Sequence, residues 1–262
     1  MKDLTVIIPL VEYNDELSTY YNRSIASIVR NDEAEETSII FVGPSSSINY
    51  IKNTFTFTSR EVLYIENNKN TELQFQINKA VKDVKTTYFS ILEFDDAYTN
   101  FWFKNVEEHV KAQPETSLFL PLIEVFDDEH FDAGAISYAN EPVWASFFSD
   151  EIGYIDNASL QNFFNFIISG GVFKKNDFVS VGGLKSNIKI FFWYELLLRM
   201  THNDKRIYVI PKVGCEHVIN RKDSLTAQFM AIEQDEIDFW FETAKDEHLY
   251  KADRKKTFIR ES

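Results

Sequence analysis

The sequence predicts an α/β fold, with a mostly parallel central sheet flanked by helices and a helical extension at the C-terminus. Three observations carry this. Short runs of β-branched and apolar residues recur along the first half of the chain, segments of helical periodicity separate them, and polar or acidic turns close the runs. Strands that alternate with helices imply right-handed crossovers and hence parallel pairing.

"LTVIIPLV" (4–11) is a buried strand closed by "EYND", and "ELSTYYNRSIASIVR" (16–30) follows with apolar residues at helical spacing. "TSIIFVG" leads a second strand to Gly43-Pro44 and a serine run, where the reading breaks. "EVLYIEN" (61–67) is a third strand, "TELQFQINKAVKDV" (71–84) a second helix, and "TYFSILEFDD" a fourth strand. Further on, "TSLFLPLIEVFDD" (116–128) and "RIYVIPKVGCEHV" (206–218) read as strands, and "FFWYELLLRMTH" (191–202) as a helix. A longer amphipathic helix covers 225–250, ahead of the basic "KADRKKTFIR". The expected division is a catalytic-type α/β domain over 1–224 and a helical tail over 225–262 that packs on it, with an oligomer contact as an alternative role for the tail's helix.

With 262 residues and 44% hydrophobic composition, the chain can bury a substantial core. No apolar run reaches the roughly 18 residues of a membrane-span candidate, and no cleavable leader is visible. A soluble, cytoplasmic protein is expected. Cys215 is the only cysteine, which excludes an internal disulfide and reads as packing. The net charge of −14 argues against a broad grip on nucleic acid, which works by exchanging phosphate counterions for Lys and Arg.

The chemistry concentrates in "EFDD". Asp95 and Asp96 stand side by side after Glu93 at the end of a buried strand, where neighbouring anions repel unless a cation or strong donors meet them. Strand ends of this kind are where open α/β sheets collect ligands. A helix N-cap at Asp96 is the alternative. His130 in "DDEHFD" reads as part of a solvated loop.

Five segments in order, "TVIIPLVEYN", "QINKAVKDVKTTYFSILEFDD", "SGGVFKKNDFVSVGGL", "WYELLLR" and "VIPKVGCEHVINRKDS", resemble family 2 glycosyltransferases of the GT-A fold over most of residues 4–224. The resemblance implies a metal-dependent enzyme that moves a sugar from a nucleotide diphosphate, by default a UDP-sugar, to a hydroxyl on a glycan, protein or modified nucleobase, with inversion. It assigns the first strand's end (Pro9, Leu10, Glu12) to the nucleobase and matches Asn78 to the family's Asn before the acidic motif. It gives Asp95 and Asp96 to a Mn²⁺ or Mg²⁺ ion and the ribose, His217 to metal or diphosphate, and Arg221 and Ser224 to phosphate oxygens. Carboxylates and phosphate suit such hard cations.

Three departures from the family pattern stand out. Glu93 replaces the first Asp of D-x-D-D, and Ser45 and Ser46 stand where the family has an acidic turn. Six residues before Arg199, where the family's catalytic Asp is expected, is Trp193; the nearby acid is Glu195, at ion-pairing distance along the helix. Glu195 is the candidate base, with a structural pair to Arg199 as its alternative. Gly170 and Gly171 are expected to let backbone approach the donor, with Lys174 or Lys175 near phosphate. Rival readings are a GT-A protein that binds nucleotide-sugar or glycan without turnover, a DNA-base glycosyltransferase using "YKADRKKTFIR", and a nucleotidyltransferase, which lacks its glycine- and lysine-rich loop here.

Overall fold

The computed structural model describes residues 1–32, 36–222, 224, 227 and 232–245. Four parallel strands open the chain: β1 (Leu4–Pro9), β2 (Ser38–Gly43), β3 (Val62–Glu66) and β4 (Tyr88–Ile91). They are joined by α1 (Ser18–Asn31), α2 (Ser45–Thr54) and α3 (Leu73–Asp83). After β5 (Ala97–Tyr98) and α4 (Trp102–Ala112) come β6 (Thr116–Asp127), β7 (Ser137–Ala139), β8 (Tyr154–Ile155) and the single turn α5 (Asn157–Leu160). The chain continues through β9 (Val172–Lys174), α6 (Lys175–Ser180), α7 (Phe192–His202) and β10 (Arg206–Ile219), then a last helix α8 over 234–245.

Among the described residues, one sheet collects ten strands in the order β3-β2-β1-β4-β9-β6-β10-β5, with β7 on β6 and β8 on β10. β9 runs antiparallel between β4 and β6, while β6 and β10 are parallel to each other. Every residue of β1 is buried, as expected for a strand covered on both faces. Ile7 enters the core that α3 and α7 share; Val6 and Ile8 enter the opposite core with α1, α2 and α4.

Among the helices of more than two turns, α2 and α4 escaped the sequence reading. The serine run after Pro44 opens α2, since proline's fixed φ suits a helix start rather than only a stop. α4 begins after Phe101, which sits at φ 67°, and Asp96 does not cap it. Of the helix expected over 225–250, the described part is α8; the basic "KADRKKTFIR" lies outside the described residues. Phe241 on α8 packs against Phe164, Phe191 and Tyr194, with ring centroids 4.9, 5.3 and 5.5 Å apart. Among the described residues, no helix is long and apolar enough to cross a membrane.

Candidate active site

The acidic motif lies in a turn between β4 and β5. Leu92 donates its N–H to Ile7 O at 3.0 Å, the chain then turns with the Asp96 N–H on Glu93 O at 3.0 Å, and β5 pairs antiparallel with β10. That pairing delivers the end of β10 to the carboxylates. Asp96 is completely buried. Its oxygens lie 3.0 Å from His217 Nδ1, and Oδ1 also accepts the Val218 N–H at 3.1 Å. Asp95 Oδ2 accepts from Arg221 Nε at 2.9 Å, and Arg23 Nη2 donates to the Asp95 carbonyl at 2.9 Å. The Arg221 guanidinium also stands 4.9 Å over the Phe94 ring.

Three carboxylates thus face two cations. Burial first, then the charges of Asp96 and Asp95, pushes Glu93 up to about 8. Burial and the Asp96 charge raise Asp95 against the pull of Arg221. For His217 burial alone would lower the pKa, but the charge and hydrogen bond of Asp96 prevail and push it up to about 9. The motif therefore pairs Asp96 with His217 and Asp95 with Arg221, while burial and its two anionic neighbours favour the protonated form of Glu93.

Two cavities meet at this cluster. The smaller, about 130 Å³, is walled by Pro9, Leu10, Asp95, His217, Arg221 and Ser224, six of the residues expected at a nucleotide site, together with Gln76 and Glu93. The larger, about 550 Å³, is lined by aromatic side chains from 163–166 and 191–194 and by Glu141. Glu93 and His217 line both.

The other expected residues lie elsewhere. Glu12 accepts from Ser46 Oγ at the surface. Asn78 uses its amide to bracket Leu184, donating to its carbonyl at 2.7 Å and accepting its N–H at 2.9 Å. Glu195 is 1% exposed and grips Arg199 through two bonds of 2.7 and 2.6 Å; Arg199 in turn donates to the carbonyls of Val181 and Gly183. It makes the structural ion pair and faces neither cavity. Gly170 and Gly171 meet protein rather than donor: a Cβ on Gly170, at φ +77°, would stand 2.8 Å from Cys215 Cβ, and one on Gly171 2.8 Å from Ile168 O. Lys174 and Lys175 donate to Pro114 O and Val84 O, away from the cavities.

Gln76 was missed, although a signal was present. The spacing of Leu73, Gln76, Ile77 and Ala80 puts it on the buried face of α3, where a polar side chain must find partners. Its amide accepts the Leu10 N–H at 3.1 Å and donates to the carbonyls of Leu10 and Thr71 at 3.0 and 2.7 Å, fixing the end of β1. Glu141 carried no such signal, because its place depends on Asn140. That residue, at φ 68° and 1% exposed, donates to Pro121 O and Ile167 O at 2.9 Å and accepts the Ile167 N–H at 3.0 Å.

The residues fit a divalent cation in one way only. Glu93 and Asp95 offer hard oxygen atoms at the cavity wall, but among the described residues no three His, Cys, Asp or Glu side chains are grouped to hold an ion by themselves. An ion here would draw its remaining ligands from phosphate and water, as Mg²⁺ and Mn²⁺ commonly do.

No family model and no curated protein matches the chain. Its fold is similar to that of S. aureus TarS. The crystal structure of TarS 1-349 with UDP matches at a TM-score of 0.58 and 13% identity, covering 83% of this chain and 60% of that one. The complex of the same fragment with UDP-GlcNAc gives a TM-score of 0.60 at 10% identity, covering 86% and 61%. Full TarS gives 0.56 at 12% identity over 94% of this chain and 43% of its own. The chain thus spans about 60% of the TarS fragment it matches, and its fold is of the GT-A type.

Proposed function

We propose that the protein is a nucleotide-sugar glycosyltransferase that uses a UDP-sugar donor. The observation that carries this is the junction: Glu93 and His217 belong to the walls of both cavities, so a donor with its diphosphate in the smaller one would present its sugar to the larger. TarS, similar in fold, is seen with UDP and with UDP-GlcNAc, which favours uridine. In this reading Pro9 and Leu10, held by Gln76, border the nucleoside, and Arg221 and Ser224 donate to phosphate oxygens. Asp95 and Glu93, the latter on loss of its proton, would hold a Mn²⁺ or Mg²⁺ ion, and Asp96 orients His217. When bound, the ion neutralises charge on the departing diphosphate. Imidazolium at His217 adds a second positive group on the same side.

Transfer with inversion requires a carboxylate that faces the acceptor hydroxyl. Glu195, closed on Arg199, is not in the larger cavity; Glu93 and Glu141 are. We assign the acceptor proton to Glu141, which lines only the larger cavity, since Glu93 lines both cavities and is given to the ion. Calorimetric titration of UDP with and without Mn²⁺, against wild type and Asp95→Ala, tests the donor site. Metal-dependent binding lost in the variant supports it; folded wild-type protein that ignores UDP removes it.

A second reading, a binding protein without turnover, is favoured by one observation. Trp193 occupies the position where the resemblance expects the base, and it lines the larger cavity. UDP binding without transfer to any acceptor would select it.

A further inference from the structure

We propose that the larger cavity takes an uncharged sugar ring as acceptor and rejects anionic acceptors. Its role as an acceptor site rests on the donor reading above; its chemistry does not. At about 550 Å³ it falls within the range of about 300–1,000 Å³ usual for small-ligand sites. Its walls are Phe163, Phe164, Phe166, Phe191, Trp193 and Tyr194, an unusual density of flat rings. The C–H face of a pyranose carries the weak positive edge that a π face attracts, and sugar hydroxyls project sideways to polar groups at the rim. Such groups are present in Asn165, Ser137 and Glu141.

Charge decides the class. Among the described residues that line this cavity there is no Lys and no Arg, while the side chain of Glu141 lines it. Arg221, the cation of the junction, lines only the smaller cavity. A phosphate- or carboxylate-bearing acceptor would leave water for a largely apolar wall that meets it with the carboxylate of Glu141 and offers it no Lys or Arg, a juxtaposition of like charges that disfavours it. A neutral ring pays none of this. His217 lines the cavity as well, but its ring is already paired with Asp96, 3.0 Å from both carboxylate oxygens.

Saturation-transfer NMR on the full chain with UDP and Mg²⁺ tests this with a matched pair, p-nitrophenyl β-glucoside and p-nitrophenyl β-glucuronide, which differ by one carboxylate. The glucoside's ring protons should be saturated, and the glucuronide's at least about tenfold less. Glu141→Gln should raise the glucuronide signal. Phe164→Ala, at a rim residue 39% exposed, and Trp193→Ala should each abolish the glucoside signal while the UDP signal persists. Equal saturation of both glycosides overturns the proposal, as does a glucoside signal that is absent from wild type or survives both aromatic variants. The UDP protons report separately: if they stay dark while the glucoside behaves as expected, the neutral-ring site stands and the donor reading falls.

Discussion

His217 Nδ1 lies 3.0 Å from both carboxylate oxygens of Asp96, a residue 121 positions earlier in the chain. β5, only two residues long, creates this encounter by pairing Ala97 with Glu216 and Tyr98 with Cys215, one step away from each partner.

The pair sets a pH dependence. His217 is raised from an ordinary 6.5 to about 9, so its contribution to stability is complete below 6.5 and disappears as pH rises through about 9. Glu93, raised from 4.5 to about 8, favours the folded state while protonated, and that contribution is complete below 4.5 and disappears as pH rises through about 8. Both act in one direction. The melting temperature of metal-free protein should therefore fall from about pH 5 to about pH 9.5, with His217→Gln removing the alkaline part and Glu93→Gln the part below about pH 8.

Glu195→Gln separates structure from catalysis. Removing one charge from a buried, doubly bonded pair leaves Arg199 uncompensated and should cost on the order of 3 kcal/mol in urea unfolding. UDP affinity should hold at its wild-type value. A stable variant with abolished turnover would instead make Glu195 the base.

Arg221→Ala should weaken UDP about tenfold or more, roughly 1.4 kcal/mol or greater. The variant also leaves Asp95 facing the diphosphate without its partner, so the loss should exceed that of Ser224→Ala. Calorimetry at fixed Mn²⁺ makes the comparison.

For Glu141→Gln the expectation is a fall in kcat of about 100-fold, the lower range for loss of a general base, with UDP binding unchanged. Steady-state transfer to a neutral glycoside reads it.

Much of the fold was legible because parallel strands covered on both faces read as near-continuous apolar runs, and β1, β2 and β4 do, each with a single hydroxyl side chain of Thr5, Ser38 or Ser90 besides the Tyr88 ring. The nucleotide-side cluster was legible for a related reason: Pro9, Leu10, Asp95, His217 and Arg221 sit at strand ends, which topology gathers. The larger cavity was not. Its rings come from a loop at 163–166 and from the start of α7, and aromatic residues at helical spacing look the same whether they fill a core or border a cavity. Glu195 shows the converse, since i,i+4 spacing to Arg199 fits a base and an ion pair equally well until burial is known.

The irregular stretch of β10 acts as a phase-setting device for the whole protein. From Val209 to Cys215 the strand advances six residues while β6 advances three, from Leu120 to Ile123. Gly214 makes room for this, since a Cβ there would stand 2.3 Å from the Trp102 ring. Side chains of a strand alternate between faces, so gaining or losing one residue in that stretch would send His217 to the opposite face and put Glu216 or Val218, respectively, in its place beside Asp96. Length between Val209 and Cys215 should thus be far less tolerant of insertion and deletion than the exposed loop around Phe147, and a single-codon indel scan across both would display that contrast.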